Sequence, residues 1–219
     1  AGISEETVPF VIHEGVIYLA DRWTIRRVSS DGGNTEILAV GSFTITTLAT
    51  DGAFVYWIEA DPMNVIRKVP VMGGEAVFLG TGSGGPFPNA LQVRGDKLYW
   101  IDHDSRIVLM PVSGGDMTVL VEQSPQHISD LLIHGDHLYY ALVSSGSLER
   151  LPLAGGEPRP FATPSASAWT RLHATPDHLL RLGQLGLDRI DWSTGATTSL
   201  LAQDMEQDVF FAGGLTSIA

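Results

Sequence analysis

Residues 97–115 read KLYWIDHDSRIVLMPVSGG and contain the signals that decide the fold. An apolar run with paired aromatic residues is followed by a short polar segment, a second apolar run and two glycines. The glycine pair recurs with its first members at Gly32, Gly73, Gly114 and Gly155, so each step is 41 residues. Because a constant period of about 40 residues is typical of repeated structural units, the sequence predicts a repeat protein.

Each unit is predicted to contain four short strands. In the third unit, turn residues separate strands predicted at Ala90–Arg94, Leu98–Asp102, Arg106–Val112 and Met117–Val121. Turns built on Gly-Asp and Gly-Gly pairs adopt positive φ and join neighbouring antiparallel strands tightly. The apolar runs are too short for helices, and Gln203–Phe211 is the only weak helix candidate. Each unit is therefore predicted to be a four-stranded antiparallel meander.

Repeated meanders predict an all-β fold, the β-propeller, because one such sheet cannot bury both faces alone and must pack on the next. The units cover about residues 8–40, 43–79, 88–121, 127–162 and 168–202 of a single domain, residues 1–219. Residues 208–219 read DVFFAGGLTSIA and match the start of another unit. We expect six blades with the last incomplete, to which residues 1–7 add an outer strand. The alternative is five blades and a C-terminal tail.

Composition excludes several classes of function. Thirteen basic against 25 acidic residues give a net charge of -12, which disfavours nucleic acid as a partner. The chain has no cysteine, so it has no disulfide and no thiolate metal site. No apolar run reaches the length of a membrane-spanning helix. The sequence begins at Ala1 without a methionine, which is consistent with a processed export or with a trimmed chain, and we expect an extracytoplasmic location, secreted or periplasmic.

Two repeats carry a family resemblance. The segment LYWID at Leu98–Asp102 precedes RIVLMPVSGG, and FVYWIEAD from Phe54 precedes VIRKVPVMGG. These motifs resemble YWTD-type propellers and are most similar to bacterial LYW-repeat propellers of unassigned function, over about residues 8–202. The fourth unit reads LYYAL and the fifth loses the aromatic pair. The resemblance implies the propeller architecture and no activity. Animal YWTD receptors bind protein ligands, but their contact residues have no counterparts here.

The variable loops between blade strands are predicted to collect on one face, where binding sites usually lie. The candidate ligand-binding residues there are Asp21, Glu59, Asp61, Asp102, His103 and Asp104. Three of these acids stand three residues after the aligned tyrosine of their units. Converging carboxylates could hold Ca²⁺, but solvated strand-end carboxylates or attraction to a cationic partner fit better, so no metal ligand is assigned. His103 is a candidate pH-sensitive contact.

Asp130 and Arg171 are the remaining candidates. Alignment of the units on their first turns places them on the innermost strands of adjacent blades at one height, together with Thr47 and Ala90. Two charges beside a narrow channel should pair, so a direct or water-bridged contact between Asp130 and Arg171 is expected. The alternative is that they hold a zwitterionic ligand together.

Two functions are compatible with these features. The first is a non-catalytic recognition or scaffold propeller that binds a protein, peptide or glycan through its loop face. The second is a metal-dependent hydrolase or lyase at the channel mouth, for which only Asn89, Asp130 and Glu206 are available. No nucleophile elbow and no phosphate-binding loop is present, so no catalytic residue and no cofactor is assigned and the recognition function is preferred.

Overall fold

The computed structural model describes residues 8–60, 63–83, 89–122, 127–143, 145–164, 170–183 and 186–202. In this part of the chain, twenty strands form five four-stranded antiparallel sheets, and none of its elements is a helix that could cross a membrane. We call the sheets blades 1 to 5 in chain order. Both the helix candidate at residues 203–211 and the predicted sixth blade lie outside the described residues.

The chain divides into two compact units, and the first, Ala1–Gln123, contains three blades. Blade 1 comprises β1 (Phe10–His13), β2 (Val16–Asp21), β3 (Thr24–Ser29) and β4 (Glu36–Val40). Blade 2 comprises β5 (Thr44–Thr50), β6 (Phe54–Ala60), β7 (Val65–Pro70) and β8 (Val77–Thr81). Blade 3 comprises β9 (Asn89–Arg94), β10 (Lys97–Ile101), β11 (Ile107–Pro111) and β12 (Thr118–Val121).

In the second unit, Ser124–Ala219, the described residues form two blades. Blade 4 comprises β13 (Ile128–His134), β14 (His137–Leu142), β15 (Leu148–Pro152) and β16 (Arg159–Ala162). Blade 5 comprises β17 (Thr170–Ala174), β18 (His178–Gly183), β19 (Gly186–Asp191) and β20 (Thr197–Ala202). The strands of every blade pair in sequence order, as the predicted meander requires.

Because consecutive strands are antiparallel neighbours, the connections of each blade alternate between the two ends of its sheet. The first-to-second and third-to-fourth turns share one end, which we call the turn end. The second-to-third connections and the links between blades share the opposite, loop end. The four Gly-Gly pairs of the 41-residue repeat lie in third-to-fourth turns, with φ between 89° and 138°, as predicted. Glycine adopts this backbone conformation without the Cβ clash that other residues meet.

Paired aromatic residues explain how neighbouring blades of the first unit pack. Successive strand residues point to opposite faces of a sheet, so the two members of a pair face opposite neighbours. In blade 2, Trp57 packs with Tyr18 of blade 1, whereas Tyr56 packs with Trp100 of blade 3. In blade 3, Tyr99 and Trp100 are 3% and 1% exposed, so both members of this pair are buried.

The core of the second unit lies between blades 4 and 5 and, as in the first unit, is formed by side chains from two neighbouring blades. Tyr139 and Phe161 of blade 4 pack against Leu179 and Ile190 of blade 5. The position of the second aromatic residue is occupied in blade 5 by Arg181, which is only 2% exposed. This substitution places a buried cation where blades 2, 3 and 4 carry Trp57, Trp100 and Tyr140.

Candidate functional site

The loop end of the first unit is organised by a buried carboxylate at the end of β6. Glu59 is fully buried and accepts hydrogen bonds from the backbone N–H groups of Ser42 (3.0 Å) and Phe43 (3.3 Å). The indole N–H of Trp57 donates to the same carboxylate (2.9 Å), and Nε of Arg67 lies 3.2 Å from it. Glu59 therefore clamps the link between blades 1 and 2 onto the end of its own blade.

In blade 3, Asp102 holds the preceding link between blades in the same way. It is 4% exposed and accepts a 2.9 Å hydrogen bond from the hydroxyl of Ser83, in the link between blades 2 and 3. The guanidinium of Arg106 binds Oδ2 of Asp102 at 2.6 Å and also lies 3.2 Å from Asp104. The bond to Asp102 raises the pKa of Arg106 above its ordinary value. The carboxylates of Glu59 and Asp102 thus both accept hydrogen bonds from groups of the protein itself.

The acids and the histidine predicted for this end differ in exposure. Asp21 is exposed and is the last residue of β2, next to the two-residue turn that joins β2 to β3. His103 is exposed, and the side chain of Asp104 is 49% exposed. Asp61 lies outside the described residues. At the loop end, Asp21, His103 and Asp104 are thus exposed to solvent, whereas Glu59 and Asp102 are buried and bind the links between blades.

Three non-glycine residues in the second-to-third connections adopt left-handed backbone conformations. Arg22, Asn64 and Ser105 have φ values of 54°, 51° and 57°. Such conformations cost of order 1 kcal/mol or more and persist where surrounding contacts hold them. Asn64 provides one such contact, because its side-chain N–H group donates to the carbonyl of Ser83 (2.7 Å). The loops of this end are therefore tied into defined conformations.

Large apolar side chains are exposed at this end. Trp23 is 50% exposed, Val40, the last residue of β4, 63%, and Phe43 43%. The N–H of Gly41 donates to the carbonyl of Trp23 (2.6 Å), so the three belong to touching segments. We call Trp23, Val40 and Phe43 the loop-end patch. Met63, in the second-to-third connection of blade 2, is 55% exposed. Sequence reasoning missed the patch because the search followed titratable residues. The sequence feature that could have revealed the patch is the presence of large apolar residues in or next to the connections between strands, where polar residues are usual.

The described residues give no geometry for the set assigned to the alternative metal-dependent enzyme, because Asn89 lies in the first unit. Asp130 lies in the second unit and Glu206 falls outside the described residues; nothing is described of the Asn89 side chain. Among the described residues, no group of three or more His, Asp or Glu side chains could hold a metal ion. The geometry therefore offers no argument for this alternative.

Asp130 and Arg171 lie on neighbouring first strands, β13 and β17, as the alignment predicted. Asp130 is 8% exposed, but no ion pair within 4.0 Å joins it to the exposed Arg171. Instead, Oδ2 of Asp130 accepts a hydrogen bond from the N–H of Leu172 (2.8 Å), the residue after Arg171. The direct form of the expected contact is thus absent and Asp130 binds the backbone, because β17 is an edge strand whose outward N–H groups need acceptors. The water-bridged form stays a prediction.

Comparisons with known proteins support the architecture. No family model matches the chain. It is similar to a chain in the crystal structure of a nidogen/laminin complex, with a TM-score of 0.70 and 16% identity over 87% of this chain and 76% of that one. It is also similar to a Bacteroides thetaiotaomicron protein of unknown function (TM-score 0.66, 14% identity, 88% of this chain and 57% of that one).

An auxiliary nutrient binding protein from the same bacterium gives a TM-score of 0.64 at 12% identity, over 88% of this chain. The chain spans 56% of the length of that protein. At such identities the similarities show the fold alone. Together with the five four-stranded sheets, they establish an all-β protein of the β-propeller class.

Proposed function

We propose that this chain is a non-catalytic recognition propeller that binds a protein or peptide through the loop-end patch of its first unit. The observation that carries the proposal is the exposure of Trp23 and Phe43 on loops that the protein itself holds in place. The resemblance to YWTD-like repeats supports a binding role, and with it we propose an extracytoplasmic location.

The composition of the patch is that of a protein-binding surface. Trp and Phe are enriched at the centres of protein interfaces, and a few such residues supply most of the binding energy. Exposed aromatic side chains on a fixed backbone lose little conformational entropy on binding. The clamp through Glu59 keeps the backbone of Phe43 fixed before a partner arrives. The patch is thus preorganised.

The net charge of the chain, -12, indicates the chemistry of the partner. Beside Trp23 itself, the exposed Asp21 and Arg22 balance each other, so this preference arises from the charge of the whole chain. Complementary charge increases the rate of association and selects among partners. The partner we propose therefore has an apolar centre and a basic rim. A glycan, the other ligand class open from the sequence, would stack on Trp23 without needing that rim.

A peptide library displayed on phage, selected against the whole chain, tests this proposal. We expect selected peptides to combine aromatic or aliphatic residues with Lys or Arg, and to bind Trp23→Ser and Phe43→Ser at least tenfold more weakly than the wild type. Phe78→Ser is the matched control, because Phe78 is 54% exposed on β8, outside the patch. The proposal is wrong if all three variants bind alike, or if a glycan array yields ligands that depend on Trp23 while the peptide library yields none.

A further inference from the structure

The third and fourth strands of blade 1 carry a charged pair beside the repeat tyrosine. Arg27 is the register partner of Tyr18 on β2 and of Glu36 on β4. Its guanidinium binds Oε2 of Glu36 through Nε (2.8 Å) and Nη2 (2.7 Å). At this position blade 1 therefore supplies both the cation and the carboxylate.

Blade 4 carries two cations at the same positions. Arg150 is the register partner of Tyr139 and also of Arg159 on β16. Direct partners on adjacent strands point to the same face, and like charges there repel. In the described part of the chain, no carboxylate lies within 4.0 Å of either guanidinium.

The other three described blades do not repeat this arrangement. The corresponding pairs are Lys68 with Val77, Leu109 with Thr118, and Arg189 with Thr198. Blade 4 thus has two arginines where blade 1 has an arginine and its own acid. An external anion would relieve the repulsion that this creates.

Both pairs line a groove beside the Gly-Gly turn of their own blade. The groove of blade 1 has a volume of about 270 Å³, and Arg27 and Glu36 are among its lining residues. The groove of blade 4 has a volume of about 380 Å³ and is lined by His137, Arg150, Pro152, Gly155, Gly156, Glu157 and Arg159. The latter volume suits a small molecule. The two grooves occupy equivalent places in the repeat and differ in charge.

Arg150 is held in position before any ligand binds. Its guanidinium lies 5.4 Å from the centre of the Phe161 ring and interacts with the hydroxyl of Tyr139. A planar guanidinium fixed in this way matches the two oxygens of a carboxylate. His137, on the same side of the groove, offers a further donor.

We propose that the groove of blade 4 binds a small organic dicarboxylate. One carboxylate lies between Arg150 and Arg159, in the place that the Glu36 carboxylate takes in blade 1, and the second is directed towards His137. Glu157 also lines the groove and offsets part of its positive charge, so the second carboxylate binds through the His137 donor. This site lies at the turn end of the second unit, apart from the loop-end patch.

Isothermal titration of the full chain with succinate at low ionic strength tests the proposal. We expect one site with a Kd of about 1 mM or tighter, and no binding of the neutral diamide succinamide. Arg159→Glu should lose at least tenfold in affinity, because it supplies the carboxylate that blade 1 carries. Arg189→Glu is the matched control with the same change in charge, and it should lose less than about threefold, as expected for a screened distant charge.

A reciprocal variant in blade 1 tests whether the two arginines and the histidine are sufficient. Val16→His combined with Glu36→Arg recreates all three in the groove of blade 1 and should raise the number of succinate molecules bound from one to two. The proposal is wrong if succinate gives no saturable binding to the wild type, or if Arg159→Glu and Arg189→Glu weaken binding equally. A stoichiometry that remains at one in the folded double variant contradicts the claim that these three side chains make the site. Near-ultraviolet circular dichroism identifies any variant that has not folded.

Discussion

The carboxylate of Asp130 accepts a 2.8 Å hydrogen bond from the backbone N–H of Leu172, and so joins the first strands of blades 4 and 5. Its other oxygen accepts from the N–H of Leu131 (2.9 Å). The first unit has an equivalent bond, from the N–H of Leu91 to the hydroxyl of Thr47 (3.2 Å). At one repeat position, a polar side chain thus accepts a hydrogen bond from a backbone N–H group on the first strand of the following blade.

Asp130 should make the stability of the second unit depend on pH. Burial, the largest effect, raises the pKa of Asp130 to about 6, although the Leu172 N–H bond and the Arg171 charge oppose it. A folded-state pKa above the unfolded value means that the native state binds the proton more tightly. The contribution of Asp130 to stability therefore rises as pH falls from about 6 to about 4. A shift of about two units corresponds to about 3 kcal/mol.

Chemical denaturation of wild type and Asp130→Asn between pH 4 and pH 7.5 measures this effect. Asparagine cannot ionise and has one acceptor oxygen, so it loses one of the two backbone bonds at every pH. We expect the wild type to gain stability relative to the variant as the solution is acidified. A constant difference across this range would show that Asp130 keeps its ordinary pKa.

The alignment of repeats was enough to find Asp130 but not its partner. Turn residues and the aromatic period fix which strand positions are equivalent, and these depend only on local chain geometry. The partner depends on which nearby donor lacks an acceptor. A backbone N–H on an edge strand meets that condition, whereas the exposed Arg171 keeps its hydration. Sequence patterns do not encode this competition between solvent and backbone.

Two equivalent glycines should respond differently to the same substitution. Gly114 and Gly155 have φ values of 89° and 100°, so alanine at either costs about 1 to 2 kcal/mol from the backbone alone. A Cβ on Gly114 would also lie 2.7 Å from the carbonyl oxygen of Leu79, whereas one on Gly155 meets nothing within 4 Å. We expect Gly114→Ala to be less stable than Gly155→Ala by about a further 1 to 2 kcal/mol. Equal losses in urea denaturation would contradict this clash.

The loop end shows why the fold was easier to predict than the site. Paired aromatic residues and glycine turns act through short-range geometry, and the structure confirms the strands they predict. Asp21 and Glu59 have the same offset in their units, yet one is exposed and the other fully buried. The difference arises from the link that folds over Glu59, a contact across 16 or more residues. Charge and spacing alone do not reveal which carboxylate is covered.

Removing the Glu59 carboxylate should therefore cost far more than removing that of Asp21. Glu59→Ala leaves the partly buried Arg67 without its acid, and the N–H groups of Ser42 and Phe43 without an acceptor. We expect a loss of about 3 kcal/mol in the free energy of unfolding. Asp21→Ala, at an exposed turn, should change it by less than about 0.5 kcal/mol. Similar losses in the two variants, measured by urea denaturation, would show that the clamp does not contribute to stability.

Arg181 and Asp188 replace an aromatic contact by a buried ion pair. Nε and Nη2 of Arg181 bind Oδ2 of Asp188 at 3.1 and 2.8 Å, and Nη1 donates to the carbonyls of Thr163 (2.9 Å) and Gly146 (3.4 Å). The pair thus ties blade 5 to the loop end of blade 4, as the Glu59 clamp does between blades 1 and 2. Desolvation offsets much of the attraction between two buried charges.

A double-mutant cycle over this pair should give strongly non-additive losses. Arg181→Met leaves the carboxylate of Asp188 without its cation, and Asp188→Leu leaves the buried guanidinium without its anion, so each single change should cost about 3 kcal/mol. The double variant has no unpaired charge and restores an apolar side chain at the position of Trp57 and Trp100. We expect it to lie within about 2 kcal/mol of the wild type, with a coupling energy of at least about 1 kcal/mol in urea denaturation. The coupling should persist in 1 M salt, since Arg181 is 2% exposed and solvent ions do not reach it. Additive losses would mean that the two residues stabilise the blades independently, through packing and not through their charges.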